Sequence, residues 1–282
     1  MKNEGLIELH RKANELRRDT LEMCIAGGTG HVTSSFSCVE ILTALYHGQI
    51  MRYDSKNPKW SERDRFILSK GQASPILYVI LADAGFFPKE WLGKFCKKDA
   101  KFGVHLQCDV PGVEFTTGSL GHGLGLGAGT ALAAKINQKD YHTFVLLGDA
   151  ECYEGSIWEA AMFASHYKLN NLTAIIDRNG YGVLAPTEDT VKLNPLDKKF
   201  EAFGWDTENI DGHSIKEVFE AVENFRSHKR NKPLVIIADT IKGKGIKFME
   251  NVALWHGVAP QGEDAERARK ELNEYTLSKE YE

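Results

Sequence analysis

An acidic turn and an amide-bearing turn each follow a short apolar run in this sequence. The run at residues 144–147 leads into Gly148 and Asp149, and the run AIID leads into Asn179. Carboxylate and amide oxygens are ligands that hard cations such as Mg²⁺ or Ca²⁺ prefer. Either turn alone is more common as a helix cap or a plain turn. At one edge of a sheet, the two together predict a cation site whose ligand shell is completed by phosphate oxygens.

The elements that must position these turns alternate regularly along the second half of the chain. Strands are predicted at residues 142–148, 171–177, 204–210 and 232–240, and helices at 119–137, 155–169 and 214–228. Short apolar strands that alternate with helices indicate an α/β fold, with a parallel sheet flanked by helices on both faces. In such sheets ligands bind beyond the carboxyl ends of the strands. The helix predicted after Gly155 would also present free N–H groups to an anion.

The first half of the chain shows weaker regularity. Helices are predicted at residues 6–26 and 37–48, and a short strand at 66–68 leads into a loop. Residues 99–117 have little periodicity and are predicted to form a long loop, a length that favours a functional role or disorder. The sequence shows no internal repeat or linker. We therefore interpret residues 1–282 as a single domain, with a charged, helical, peripheral tail at about 263–282.

The bulk composition is that of an ordinary globular protein. Hydrophobic residues make up 42% of the chain, charged residues 26%, and the net charge is −4. This charge argues against nucleic-acid binding, and no apolar run approaches the roughly 18 residues of a membrane helix. The five cysteines are dispersed, and the N-terminus lacks a signal-peptide core. We therefore expect a cytoplasmic protein with reduced thiols and no membrane association.

The two turns also resemble a known cofactor motif. GDAECYEG followed by DRNGYG is similar to the thiamine diphosphate motif, whose usual form is GDG and then N at this separation. GHVTSSFSCVEILTALY, PGVEFTTGSLGHGLGLGAGTALAAK and WEAAMFASHYKLNNLTAIIDRNG resemble transketolase blocks in transketolase order. From residue 1 to about 262, the chain is identified as a member of the transketolase family. The resemblance implies the thiamine diphosphate-binding fold of its diphosphate domain.

The resemblance implies a set of metal-binding and cofactor-binding residues. Mg²⁺ (or Ca²⁺) would be bound by the side chains of Asp149 and Asn179 and by the carbonyl oxygen of Tyr181. Thiamine diphosphate would contact Gly118, Leu120, Gly148, Asp149, Ala150, Glu154, Asn179, Val183 and His256. Glu154 also matches a buried glutamate that links paired cofactor sites across a subunit interface.

The resemblance further implies a set of catalytic residues. His31, His105 and His256 match histidines that line the substrate channel, and Glu154 and Gln72 complete the candidate set. Histidines can transfer protons near neutral pH, as chemistry on sugar hydroxyls requires. Lys242 and Lys244 in IKGKG are candidates for binding a substrate phosphate. Loop lysines are, however, more commonly solvated.

The expected function is transfer of a two-carbon ketol unit from a ketose phosphate to an aldose or aldose phosphate. Transketolases carry two further domains, and this sequence stops at Glu282 without them. We therefore expect an N-terminal subunit that needs a separate C-terminal subunit, which carries the pyrimidine-binding and C-terminal domains. The expected assembly is α₂β₂, with the active site between chains and little activity in this chain alone.

Three positions depart from the usual family pattern. Gln72 stands where histidine is usual, Ala150 replaces the second glycine of GDG, and His122 replaces a common glutamine. Glutamine can hydrogen bond but cannot shuttle a proton, and a methyl group beside the phosphates can crowd them. Two alternatives therefore stay open. One is a specialised enzyme whose donor is an unusual ketose phosphate or a decarboxylated 2-oxo acid, and the other is a non-catalytic cofactor-binding subunit.

Overall fold

Among residues 3–227 and 231–279, which the computed structural model describes, five strands form one parallel sheet. They are β1 (Arg65–Leu68), β2 (Thr143–Gly148), β3 (Leu172–Arg178), β4 (Asp206–Asp211) and β5 (Leu234–Asp239). Their order across the sheet is β1-β2-β3-β5-β4. Strand β2 is buried throughout, whereas the edge strand β4 is largely accessible. The continuous apolar sequence of β2 follows from burial on both faces of the sheet.

Helices connect the strands and cover the sheet. They are α1 (Asn3–Gly27), α2 (Val32–Phe36), α3 (Val39–Tyr46), α4 (Ser74–Asp83), α5 (Gly123–Ile136), α6 (Gly155–His166), α7 (Thr187–Thr190), α8 (Leu196–Ala202), α9 (Ile215–Ser227) and α10 (Glu263–Lys279). Short 3₁₀ turns lie at Gly71–Ala73, Lys89–Lys94, Ala150–Tyr153 and Ala253–Trp255. Of the described residues, none belongs to a helix both long enough and apolar enough to cross a bilayer.

The hydrophobic core divides into two clusters, one on each face of the sheet. On one face, α1, α3, α4, α9 and α10 pack against inward-facing residues such as Leu146 and Ile175. On the other face, α5, α6 and α8 pack against Val145 and Ile176. Successive strand residues thus point to opposite clusters, as the pleat requires. This arrangement confirms the predicted α/β fold with helices on both faces.

The register of the sheet brings the two turns of interest together. Strands β2 and β3 pair directly, and Gly148 lies opposite Asp177 at their carboxyl ends. Asp149 and Asn179 therefore leave neighbouring strands at the same edge. The prediction that these two residues follow neighbouring strands at the same edge of the sheet is confirmed.

Two helices in the first half of the chain were not predicted from the sequence. The helix predicted at residues 37–48 is present as α3, whereas the short helix α2, which precedes it, was not predicted. The loop predicted after residues 66–68 leads into α4, a helix that was not predicted and that is buried over almost its whole length. Residues 99–117 contain only turns and bends, as predicted.

Candidate active site

A cleft at the carboxyl ends of β1, β2 and β3 collects most of the predicted site residues. The cleft is lined by His31, Gln72, His105, Gly118, Leu120, Gly148, Asp149, Ala150, Asn179, Tyr181, Val183 and His256. These residues come from six loops that are distant in sequence. Four residues that the sequence did not suggest also line it, namely Ser34, Lys70, Glu151 and Gly182.

Asp149 is buried where β2 ends, and its carboxylate is held by several donors. Its Oδ1 accepts the backbone N–H of Ala150 at 2.8 Å, so that it caps the Ala150–Tyr153 turn. Its Oδ2 accepts the N–H of Gly180 at 2.7 Å and Nη1 of Arg178 at 2.9 Å. Burial and the nearby carboxylate of Asp177 raise the pKa of Asp149. Asp149 thus caps the Ala150–Tyr153 turn, as an aspartate without any metal-binding role can do, and it also faces the cleft.

Asn179 is oriented by the turn that follows β3. Its Oδ1 accepts the N–H of Tyr181 at 3.1 Å, and its Nδ2 donates to Asp177 at 3.3 Å. Gly180 between them has φ of +76°, a left-handed conformation that glycine adopts without strain. The turn therefore presents the amide oxygen of Asn179 and the backbone of Tyr181 beside Asp149.

The buried carboxylate of Glu151 joins the two glycine-containing walls of the cleft. Its Oε1 accepts the N–H of Gly121 at 2.8 Å and its Oε2 accepts the N–H of Gly148 at 3.0 Å. The hydroxyl of Ser69, at the end of β1, donates to the same carboxylate. Burial raises the pKa of Glu151. A side chain on the neighbouring Gly118, whose φ is +149°, would strike the His105 ring.

Three histidines from separate loops face one another across the cleft. The ring centroid of His31 lies 5.0 Å from that of His256 and 6.2 Å from that of His105. Burial, followed by nearby positive groups, lowers the pKa values of His31 and His256 to about 4. Both rings are therefore neutral at pH 7. Nδ1 of His31 is buried and finds no hydrogen-bond partner among the described residues.

Lys242 is a buried residue of the cleft, whereas Lys244 lies outside it. Nζ of Lys242 donates to the carbonyl of Gly182 at 2.8 Å and lies 3.0 Å from Nδ1 of His256. Burial and the charge of Lys70 lower the pKa of Lys242 to about 8, so it is mostly charged at pH 7. A charged lysine can only donate, so Nδ1 of His256 accepts and its Nε2 carries the hydrogen. Lys244 instead lies over the ring of Tyr275.

A buried ion pair supports the floor of the cleft. Lys70 pairs with Asp177, which also accepts from the hydroxyls of Ser37 and Thr240. Although burial acts against both charges, each partner stabilises the other. Asp177 raises the pKa of Lys70, and Lys70 lowers that of Asp177. Composition and spacing gave no signal for this pair, because it joins residues more than 100 positions apart.

Two further predicted positions lie apart from the cleft lining. Glu154 is exposed just before α6, beside Gly121, where an added Cβ would come within 2.5 Å of the Glu154 side chain. His122 is exposed, with Nδ1 3.2 Å from the carbonyl of Leu120. The other two departures, Gln72 and Ala150, do line the cleft.

The donor set fits a divalent cation that is shared with a diphosphate. Among the described residues, no group of three or more His, Cys, Asp or Glu side chains could hold a metal by itself. One carboxylate, one amide oxygen and one backbone carbonyl are instead available at Asp149, Asn179 and Tyr181. An octahedral cation would need further oxygens, which a diphosphate supplies. The buried ammonium of Lys242 adds positive charge to the same cleft.

Comparisons with known proteins agree with this chemistry. Residues 9–280 match the family model "Transketolase, thiamine diphosphate binding domain". The chain is 40% identical to one of the subunits of apulose-4-phosphate transketolase from Phocaeicola vulgatus, covering 95% of this chain and 94% of that protein. It is also 40% identical to the 6-deoxy-6-sulfo-D-fructose transketolase subunit SqwG of a Clostridium species, covering 91% and 93%. The crystal structure of Campylobacter jejuni transketolase superposes with a TM-score of 0.88 at 30% identity, covering 97% of this chain and 43% of that one.

Proposed function

The chain belongs to the transketolase family, in which it matches the thiamine diphosphate-binding domain, and we propose that it is the N-terminal subunit of a two-chain transketolase. In this proposal residues 1–282 form a single diphosphate-binding domain, with 263–282 at its periphery. A separate C-terminal subunit carries the pyrimidine-binding and C-terminal domains. The observation that carries the proposal is the convergence of a metal-type donor set and three histidines in one cleft. Relatives of similar length are named as single subunits of transketolases, which supports the division into two chains.

The proposed cofactor is thiamine diphosphate with Mg²⁺ or Ca²⁺. Asp149, Asn179 and the carbonyl of Tyr181 would hold the cation, which would supply positive charge for the diphosphate. The backbone at Gly118 and Leu120 and the side chain of Val183 contact the rest of the cofactor. The predominance of oxygen donors favours a hard cation over zinc or copper.

The proposed reaction moves a two-carbon ketol unit from a ketose phosphate to an aldose acceptor. When bound, thiamine diphosphate supplies a nucleophilic carbon and an electron sink. His31, a neutral ring in the cleft lining, accepts a proton from a sugar hydroxyl and returns it. His256 offers its Nε2–H to a substrate oxygen, because Lys242 holds Nδ1 as an acceptor. His105 lines the same channel.

A specialised donor is the second candidate function. Gln72 lines the cleft where the family usually has a histidine, and it cannot exchange a proton. Two relatives are named for apulose 4-phosphate and for 6-deoxy-6-sulfo-D-fructose. Such names support a donor other than the common ketose phosphates, in which Gln72 contacts the donor by hydrogen bonding alone.

The proposed assembly is an α₂β₂ heterotetramer in the cytoplasm. Val183, Leu184 and Leu254 are exposed apolar side chains beside the cleft, and Leu184 and Leu254 are 87% and 86% exposed. We assign this rim to the C-terminal subunit, which would cover it and complete the site. The exposed apolar side chains of α5 and α6 are assigned to a second copy of this chain. Five free cysteines support a reducing compartment.

The test combines this chain with a chain that carries the pyrimidine-binding and C-terminal domains. We expect ketol transfer only from the mixture, and at least about tenfold weaker binding of thiamine diphosphate with Mg²⁺ in Asp149→Asn, because a charged ligand is lost. Asp140→Asn, at a fully exposed position, is the matched control. Calorimetry measures binding, and a panel of ketose donors measures turnover.

The outcomes separate the alternatives. Normal turnover by this chain alone would contradict the two-chain proposal. Binding without turnover of any donor would favour the non-catalytic subunit. Efficient transfer from xylulose 5-phosphate would exclude the specialised donor.

A further inference from the structure

Arg178 reaches the proposed metal ligand Asp149 from behind the cleft. It is the last residue of β3, and its side chain is 10% exposed. Arg178 lines a second cavity, together with Asn194, Asn209 and Asp239, and is not among the residues that line the cleft. Nη1 nevertheless lies 2.9 Å from Oδ2 of Asp149. The carboxylate therefore stands between the cleft on one side and a permanent positive charge on the other.

Other contacts hold the guanidinium independently of Asp149. Nη1 donates to the hydroxyl of Thr187 at 2.8 Å, and Nη2 donates to Glu188 at 2.7 Å. Glu188 is itself oriented by the N–H groups of Leu193 and Asn194. The segment at 187–194 thus anchors the arginine, and the negative charge of Glu188 offsets part of its positive charge.

The orientation of Asp149 does not depend on Arg178. The backbone N–H groups of Ala150 and Gly180 each bind one of its two carboxylate oxygens. Both contacts would survive removal of the arginine side chain. The main contribution of Arg178 at this position is therefore its charge rather than its geometry.

We propose that Arg178 sets the affinity of the cleft for its divalent cation, by competing with the cation for Oδ2 of Asp149. The inference rests on the proposed metal site and extends it. A cation bound to Asp149 would share the carboxylate with a guanidinium, and the two positive charges repel each other in a poorly hydrated environment. Glu188 weakens this competition, because its negative charge partly neutralises the guanidinium of Arg178 that contacts Asp149.

Two variants with opposite expected effects test the proposal. Mn²⁺ binding to the full chain, with the partner chain present, is followed by electron paramagnetic resonance at saturating thiamine diphosphate, so that changed cofactor affinity does not enter. We expect Arg178→Met to bind Mn²⁺ about fivefold more tightly and Glu188→Gln to bind it about two- to fivefold more weakly, from charge–charge energies at these separations. Arg178→Lys, which keeps the charge, should stay close to the unchanged protein.

Arg63→Met is the matched control, because Arg63 is another partly buried, ion-paired arginine but precedes β1 at the opposite edge of the sheet. It should leave Mn²⁺ binding unchanged.

Equal weakening in Arg178→Met and Glu188→Gln would mean a structural role only and would overturn the inference. No tightening in Arg178→Met, with normal binding by the unchanged protein, would also overturn it while leaving the proposed function intact. If the unchanged protein itself bound no Mn²⁺, the metal site and this inference would both fail. If Arg178→Met did not fold, unchanged or tighter binding by Glu188→Gln would decide against the inference.

Discussion

The cleft contains charged side chains that are almost completely removed from water. Lys70, Asp177, Glu151 and Lys242 are each no more than 1% exposed. Buried charges are retained only where partners stabilise them, and in enzymes such groups concentrate at functional sites. Within the described part of the chain, Lys242 has only the neutral partners Gly182 and His256 at hydrogen-bond distance. An anionic ligand is therefore the partner that would stabilise its charge best.

Lys242→Met should weaken thiamine diphosphate binding and change its pH dependence. A charge-assisted hydrogen bond is worth about 1.5–3 kcal/mol, so the loss at pH 7 should be about tenfold to a hundredfold. The pKa of Lys242 is about 8 without ligand, and an anion raises it. The contribution of Lys242 is therefore complete below about pH 8 and is lost as the pH rises further. Fluorescence titrations from pH 7 to 10 should show affinity falling in the unchanged protein and a flat profile in Lys242→Met.

The matched control for this prediction is Lys244→Met, two residues away and outside the cleft. It should retain both the affinity and the pH profile. A pH-dependent fall of the same size in Lys242→Met would show that another group titrates.

At the scale of elements, one buried cluster of polar side chains connects α1 and α3 with the loop before α9. Arg17 of α1 donates to both oxygens of Glu40 of α3, at 2.7 and 2.9 Å. Nδ1 of His213 lies 3.0 Å from Glu40, and its Nε2 accepts the N–H of Ile241 at 2.9 Å. Because Ile241 precedes the cleft lysine, this cluster connects the packing of α1 with the position of the active-site loop.

Arg17→Met should destabilise the folded chain by about 3–5 kcal/mol, because it leaves the Glu40 carboxylate buried without its main counter-ion. Urea unfolding at pH 7 measures this cost. Arg18→Met, at an exposed position next in sequence, is the control and should change stability by less than about 0.5 kcal/mol. A loss below about 1 kcal/mol in Arg17→Met would mean that the cluster adds little to stability.

The same cluster predicts a stability change in acid. Despite burial, Arg17 and then His213 lower the pKa of Glu40 to about 2, compared with about 4.3 in an unfolded chain. The stabilisation is therefore present above about pH 4.3 and is lost as the pH falls toward 2. Glu40→Gln should remove this part of the acid dependence. An identical acid slope in both proteins would contradict the assignment.

The sequence allowed prediction of strands whose hydrophobic pattern follows directly from burial on both faces of the sheet. Strands β2 and β3 are uninterrupted apolar runs because both faces are covered, and their ends led directly to Asp149 and Asn179. Helix α4 was not predicted because it too is buried on nearly all sides. Its sequence SPILYVILAD therefore lacks the alternation of an amphipathic helix. Ser37, between α2 and α3, donates its hydroxyl hydrogen to Asp177 across the core, a long-range contact that the sequence does not reveal.

The supporting residues of the site could not be predicted in the same way. Glu151, Arg178 and Lys70 act through contacts with residues from other strands and loops. In the sequence they are indistinguishable from charged residues at a solvated turn. Lys242 and Lys244 had equal standing as candidates, and only the folded chain separates the buried residue from the accessible one. Residue type and spacing thus identified groups that face a ligand, but not those that hold them.

At the scale of the whole molecule, the surface opposite α1 carries an apolar face. Helices α5 and α6 pack side by side, and Ile136, Met162, Phe163 and Tyr167 project from them into solvent. The sheet face beneath them is already closed by its own hydrophobic cluster. The exposed side chains of these helices are thus available to another chain.

Met162→Lys should separate the two copies of this chain in the proposed α₂β₂ assembly. Met162 is 52% exposed, so the folded subunit tolerates a lysine there, whereas a contact between copies would bury its charge. We expect association to weaken by at least about tenfold, or 1.4 kcal/mol. Sedimentation velocity with the partner chain present measures the change, and thermal unfolding confirms the fold. Ile7→Lys is the matched control, because Ile7 is 53% exposed but lies on α1. Equal effects of both variants, or none from Met162→Lys, would mean that copies of this chain do not meet through α5 and α6.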